Sequence, residues 1–146
     1  MKRTTLLAAL LLATLSMASQ FASAQDRTPS APGAEVYFIG LKDGAKLTNP
    51  VTLRFGLKGM GIAPAGIKFD NTGHHHLYID TDLPTDMSQP MPAIENKVLH
   101  FGKGQTEATL TLAPGKHTLQ LVFADAMHTA HNPPVVSEKI TVVVSK

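Results

Sequence analysis

Thr72-Gly73-His74-His75-His76-Leu77-Tyr78-Ile79-Asp80 is the stretch on which the reading of this chain turns. A strand repeats every two residues, so His74, His76, Tyr78 and Asp80 share one face, and His75, Leu77 and Ile79 the other. With Leu77 and Ile79 directed to a core, His74 and His76 stand outside and His75 sits at the inner rim. The run is internal, so it is no purification tag. Clustered imidazoles are the chemistry of metal ligation or proton transfer. The plainer alternative is a polar strand start whose rings hydrogen-bond to nearby loops.

Strand signals surround this stretch on both sides. Val36 and Phe38 alternate with Tyr37 and Ile39 in a first strand from Glu35, which the Asp43-Gly44 pair turns. Val51, Leu53, Phe55 and Leu57 point inward between Thr52 and Arg54. A long Gly-rich loop, Lys58 to Gly73, leads to the histidine strand, and a second long loop, Thr81 to Asn96, leaves it. Loops of this length in a compact domain are functional or mobile. Further strands are expected at Lys97–Phe101, Thr106–Leu112, Lys116–Phe123 and Val136–Val144. About seven strands, without helical periodicity, predict an all-β, immunoglobulin-like β-sandwich over residues 35–146.

Ahead of it, residues 1–24 read as a signal peptide: Lys2 and Arg3, the apolar run Leu6 to Leu15, and a cleavage signal at Ala22-Ser23-Ala24. That places the domain in the periplasm or outside the cell, with no membrane anchor after cleavage. Residues 25–34 are Pro-rich and poor in apolar side chains, a flexible leader. Once Lys2 and Arg3 are gone, 11 acidic residues face an equal number of basic ones. With no basic stripe, nucleic acid is excluded as a partner. The chain has no cysteine, so disulfides, thiolate metal sites and thiol catalysis are excluded as well.

In an immunoglobulin-type sandwich the third and sixth strands are antiparallel neighbours. The start of the histidine strand then lies beside the end of the Lys116–Phe123 strand. His74, His75 and His76 come near Met127, His128 and His131, with Met60 within reach from the preceding loop. These seven residues are the candidate metal ligands, and Asp125 is the candidate for orienting a ring N–H. His117 is expected to be a hydrogen-bonded structural residue at the opposite end, and His100 a structural or surface residue. Met87 and Met91 are expected as loop cover over the core, away from the site.

Thr72-Gly73-His74-His75-His76-Leu77, His100-Phe101-Gly102-Lys103-Gly104-Gln105-Thr106-Glu107, Pro114-Gly115-Lys116-His117-Thr118-Leu119-Gln120-Leu121, and the Asp125–His128 and His131–Pro134 segments resemble the bacterial domain-of-unknown-function family 4399. The resemblance covers about residues 36–144. It implies an exported, immunoglobulin-like domain and carries no established chemistry. A looser likeness is to small periplasmic copper carriers. The sequence departs from their pattern: Gln25 would be the mature N-terminus, leaving no N-terminal histidine, and no dense Met-x-x-Met series is present.

An imidazole-rich site without thiolate suits copper(II) or zinc, and the affinity order favours copper. The expected function is therefore metal carriage or buffering by a non-enzymatic periplasmic protein. The competing expectation is an envelope interaction module that binds a protein or glycan through its long loops. Neither paired carboxylates nor a nucleophile–base set is identifiable, so no catalytic residues are assigned.

Overall fold

Residues 27–145 are described by the computed structural model. The signal-peptide reading, residues 1–24, lies outside them. The strands are β1 (Glu35–Phe38), β2 (Lys46–Leu47), β3 (Val51–Lys58), β4 (Gly61–Ile62), β5 (Thr72–Ile79), β6 (Val98–His100), β7 (Glu107–Leu110), β8 (Gly115–Ala124), β9 (Ala130–Val136) and β10 (Ile140–Val144). They form a β-sandwich. The smaller sheet has the order β1-β3-β7. The larger runs β2-β10-β8-β5-β4, with β6 also on β5 and β9 also on β8.

Alternation along β3 explains the smaller sheet. Val51, Leu53 and Phe55 are buried, while Thr52 and Arg54 are exposed. Those two outward residues face Thr109 and Glu107 across the register, through a 3.0 Å hydroxyl contact and a 3.5 Å ion pair. The inward residues meet Leu77, Ile79, Leu119, Leu121, Phe123 and Val142 of the larger sheet in one core.

The larger sheet is buried on its outer face too. Tyr78, Val98, Val122, Ala124 and Ala130 form a second apolar cluster with Met91, lined by Leu83 and Met87. The segment after β5 therefore folds back along the sheet instead of standing away from the histidines. Its apolar side chains gain more from burial than from solvent, at about 25 cal/mol per Å². Met91 N–H donates to the His128 carbonyl at 2.7 Å, and Tyr78 donates its hydroxyl proton to the Met91 sulfur at 3.1 Å. This cover leaves every residue from Gly73 to Ile79 buried.

The expected closing strand Val136–Val144 is two strands, β9 and β10, both on the same edge of β8. The crossover is Ser137, whose hydroxyl accepts the Leu121 N–H at 2.8 Å. β9 begins earlier than expected because Pro133 and Pro134 occupy the stretch between its paired ends. There the register with β8 shifts between Phe123 and Ala124, so their missing N–H groups cost no ladder bond.

The described part of the leader is not loose. Pro29 bridges Asn132, and the Ser30 N–H donates to the Asn132 carbonyl at 3.1 Å. Backbone pairing, which composition does not encode, fixes it.

At the far end of the sandwich, the His117 ring spans the Asp80 carboxylate and the Ala113 carbonyl, each at 2.7 Å. That is the structural role expected of it. The Ala113 carbonyl raises the pKa of His117, partial burial opposes it, and Asp80 adds to the rise. Because the folded pKa lies above the unfolded one, the clamp contributes fully below pH of about 6.5. Its contribution is lost as pH rises through the folded pKa. His117→Gln should therefore lower Tm most at pH 5–6, with a gap that narrows at alkaline pH. A pH-independent difference in scanning calorimetry would refute this.

Candidate metal centre

Strand register builds the site. β5 pairs with β8 antiparallel, placing His74 opposite Ala124 and His76 opposite Val122. On the other edge, His76 lies directly opposite His100 of β6. Directly opposed residues share a face, so His74, His76 and His100 project together from the outer face of the larger sheet. His128 comes in from the turn between β8 and β9.

The rings of His74, His76 and His100 form a tight cluster, and His128 is its looser neighbour, 6.0 Å from His76 and outside the set whose ligating atoms come within 4.8 Å of one another. His74 lies 5.0 Å from His76, 4.9 Å from His100 and 5.1 Å from His128, measured between ring centroids. His100 lies 4.9 Å from His76 and 4.7 Å from His128. One ligating nitrogen from each of His74, His76 and His100 falls within 4.8 Å of the others. The Nε2 atoms of His74 and His76 are hydrogen-bonded at 3.0 Å, one ring donating its Nε2–H to the other. Two nitrogens bound to one ion at about 2.0–2.1 Å are separated by about 2.8–3.4 Å, for square-planar through tetrahedral angles. The pair thus has ligand spacing before any ion enters. His74 and His76 are 0% and 2% exposed, whereas His100 is exposed. The cluster has a closed floor and one open side.

Burial, first of all, lowers the pKa of His74, His76 and His100. Burial pulls the His74 pKa down to about 4, helped by the His100 and His128 charges and opposed by Asp125. Burial pulls His76 down to about 3, with His74 next in effect. His100 is lowered by burial and then by His128. Neutral imidazole is the form that binds metal, so no net proton has to be released near pH 7. The Nδ1 atoms of both His74 and His76 are buried without a hydrogen-bond partner.

His100, expected as a structural or surface residue, stands in this cluster instead. The signal was available: Phe101 faces the core, so by alternation His100 faces outward like His74 and His76. A Cβ added at Gly102 would sit 2.2 Å from the His100 ring. The glycine leaves the space that the ring occupies.

The other candidates separate from the cluster. His75 points into the sandwich, 5.2 Å from each of the Phe55 and Phe123 rings. Neither nitrogen has a partner within hydrogen-bond geometry, although the main chain of Gln105 comes close enough to oppose the lowering of the ring's pKa by burial. His131 stacks on Phe123 at 5.7 Å and 12°, with its ring nitrogens 3.2 Å from the Phe123 and Thr72 carbonyl oxygens. A single ring N–H can donate to only one of these carbonyls, and the ring is held between them on the core side of the strand. Met60 packs against the main core, and Met127 is exposed on the turn that carries His128.

Asp125 orients no imidazole by a hydrogen bond. Its carboxylate accepts the Met127 and Thr129 N–H groups at 2.9 and 3.0 Å and the Thr28 hydroxyl at 2.6 Å. It shapes the turn on which His128 sits at φ 67°. That left-handed conformation costs a non-glycine residue about 1–2 kcal/mol and persists where surroundings enforce it.

A family model described as Domain of unknown function (DUF4399) matches residues 53–145. No curated protein and no solved structure matches the chain.

Proposed function

The chain belongs to the DUF4399 family, and from that premise we propose a non-enzymatic metal-binding protein of the cell envelope that holds copper(II), ahead of zinc, on His74, His76, His100 and His128. One observation carries the reading: the 3.0 Å spacing of two buried, neutral imidazole nitrogens beside two further rings. All-imidazole donors without thiolate suit both ions, and at equal access copper(II) binds more tightly. His100 gives the ion an exposed edge, as loading and release require. Carriage or buffering fits this better than permanent structural use.

A second reading, an envelope interaction module, draws on a different surface from the one first expected. Leu83, Met87 and Met91 of the 81–96 segment turn onto the sheet. Phe69, Ile67 and Met127 are instead exposed, at 74%, 55% and 52%. Gly66 N–H donates to the Ala126 carbonyl at 2.9 Å, which joins the two loops carrying them.

Calorimetric titration with copper(II) and zinc separates the readings. The full-length protein should bind one ion. His100→Ala should weaken binding about tenfold or more, while Met60→Leu should leave it unchanged. Absence of stoichiometric binding of either ion would overturn the metal reading and leave the interaction surface.

A further inference from the structure

Two segments hold the turn that presents His128, and one is the segment ahead of β1. On one side the Met91 N–H donates to the His128 carbonyl. On the other, Thr28 donates its hydroxyl proton to Asp125 Oδ2 at 2.6 Å, while Oδ1 of that carboxylate accepts the N–H groups flanking His128. The Arg27 guanidinium donates to the Ala130 and His131 carbonyls just beyond the turn. Asn132 N–H donates to the Thr28 carbonyl at 2.9 Å, and Ser30 N–H to the Asn132 carbonyl at 3.1 Å. Residues 27–30 thus form a strap along the start of β9.

We propose that this strap positions His128: the Thr28 hydroxyl fixes the Asp125 carboxylate, the carboxylate fixes the N–H groups of Met127 and Thr129, and these fix the imidazole between them. The control runs through one carboxylate, beside the main-chain bonds that close the same turn, His128 N–H to the Asp125 carbonyl at 3.0 Å and Asp125 N–H to the Thr129 carbonyl at 2.8 Å. A carboxylate that accepts three hydrogen bonds has little freedom left to rotate. The αL backbone at His128 relaxes toward ordinary φ values once the carboxylate turns. Thr28 is therefore a positioning residue, about one hundred positions from the ring it controls. Displacing the strap loosens one ligand while the His74, His76 and His100 set, built on strand register, stays in place. This inference rests on the metal-binding reading for its consequence, though not for its mechanism.

The test uses full-length protein bearing Thr28→Val, which keeps the branched shape and removes the hydroxyl, and Thr28→Ser, which restores it. In metal-free protein, the His128 ring resonances should shift and broaden in Thr28→Val, with faster amide exchange at residues 126–129. His117 ring signals, at the far end, should be unmoved and report an intact fold. Thr28→Ser should restore the wild-type spectrum. With copper(II) added, Thr28→Val should bind roughly threefold to tenfold more weakly, the range that one lost hydrogen bond commands. Its electron paramagnetic resonance spectrum should move toward that of His128→Ala. A Thr28→Val protein matching wild type in the His128 resonances and the copper spectrum overturns the proposal. If wild type takes up no copper yet the metal-free shifts occur, the positioning stands and the metal reading fails.

Discussion

Replacing His76 with alanine is expected to lower copper(II) affinity by about a hundredfold or more, the largest effect of any single substitution in the domain. Even groups that only orient a metal ligand command about ten- to a hundredfold. His76 is 2% exposed, with its Nε2 3.0 Å from that of His74 and its ring beside His100. No other imidazole can move in to replace it: His75 is on the opposite face, and His131 is stacked on Phe123 with its ring between the Phe123 and Thr72 carbonyls. Thermal unfolding gives an independent reading. An ion at a hundred times its dissociation constant stabilises the folded state by about 2.7 kcal/mol, which is roughly 10 °C in Tm for a domain of this size. Wild type should show that rise and His76→Ala almost none. An equal metal-induced rise in both proteins would place the ion elsewhere.

The parts of this site that could be read in the sequence obey local periodicity. Alternation separated His74 and His76 from His75, and strand order in the sandwich brought His128 to the same end. What could not be read depended on pairings between distant segments. His100 belongs to the cluster because β6 pairs with β5 in the register that opposes it to His76. His131 leaves the cluster because β8 is irregular between Phe123 and Ala124, where Ala130 comes to face Ala124. His128 and His131 are three positions apart, yet a bulge places them in different surroundings. The cover from residues 81–97 was illegible for another reason. Leu83, Met87 and Met91 are spaced four apart, which fits one face of a helix or of a strand, but Pro84, Pro90 and Pro92 break either element, so nothing local announced the face they would seek. Thr28 lies in a stretch whose composition reads as unstructured, and its partner is an aspartate 97 positions away.

His75→Leu is expected to do the opposite of most core substitutions and stabilise the protein. The imidazole sits between Phe55 and Phe123 with neither nitrogen hydrogen-bonded. An unpartnered buried polar group costs about 1–3 kcal/mol, and an apolar side chain of similar size removes that cost. The gain should grow in acid. Burial lowers the folded pKa of His75 to about 4, against about 6.5 when unfolded. Above pH 6.5 the ring is neutral in both states and stability is at its full value. As pH falls from there toward 4, the unfolded chain takes up a proton that the folded chain refuses, so stability drops. A shift of that size is worth on the order of 3 kcal/mol per ring. His74 and His76, lowered to about 4 and about 3 by the same burial, titrate in the same direction. The metal-free protein should therefore lose stability progressively as pH falls from about 6 toward 4. Urea unfolding at steps from pH 8 to 5 should show His75→Leu more stable throughout, losing up to about 1.4 kcal/mol less per pH unit. Its copper affinity should match wild type, because residue 75 faces the core and the ligands face outward. A destabilised His75→Leu protein, or one with the wild-type pH slope, would mean that the buried imidazole has a partner inside the sandwich.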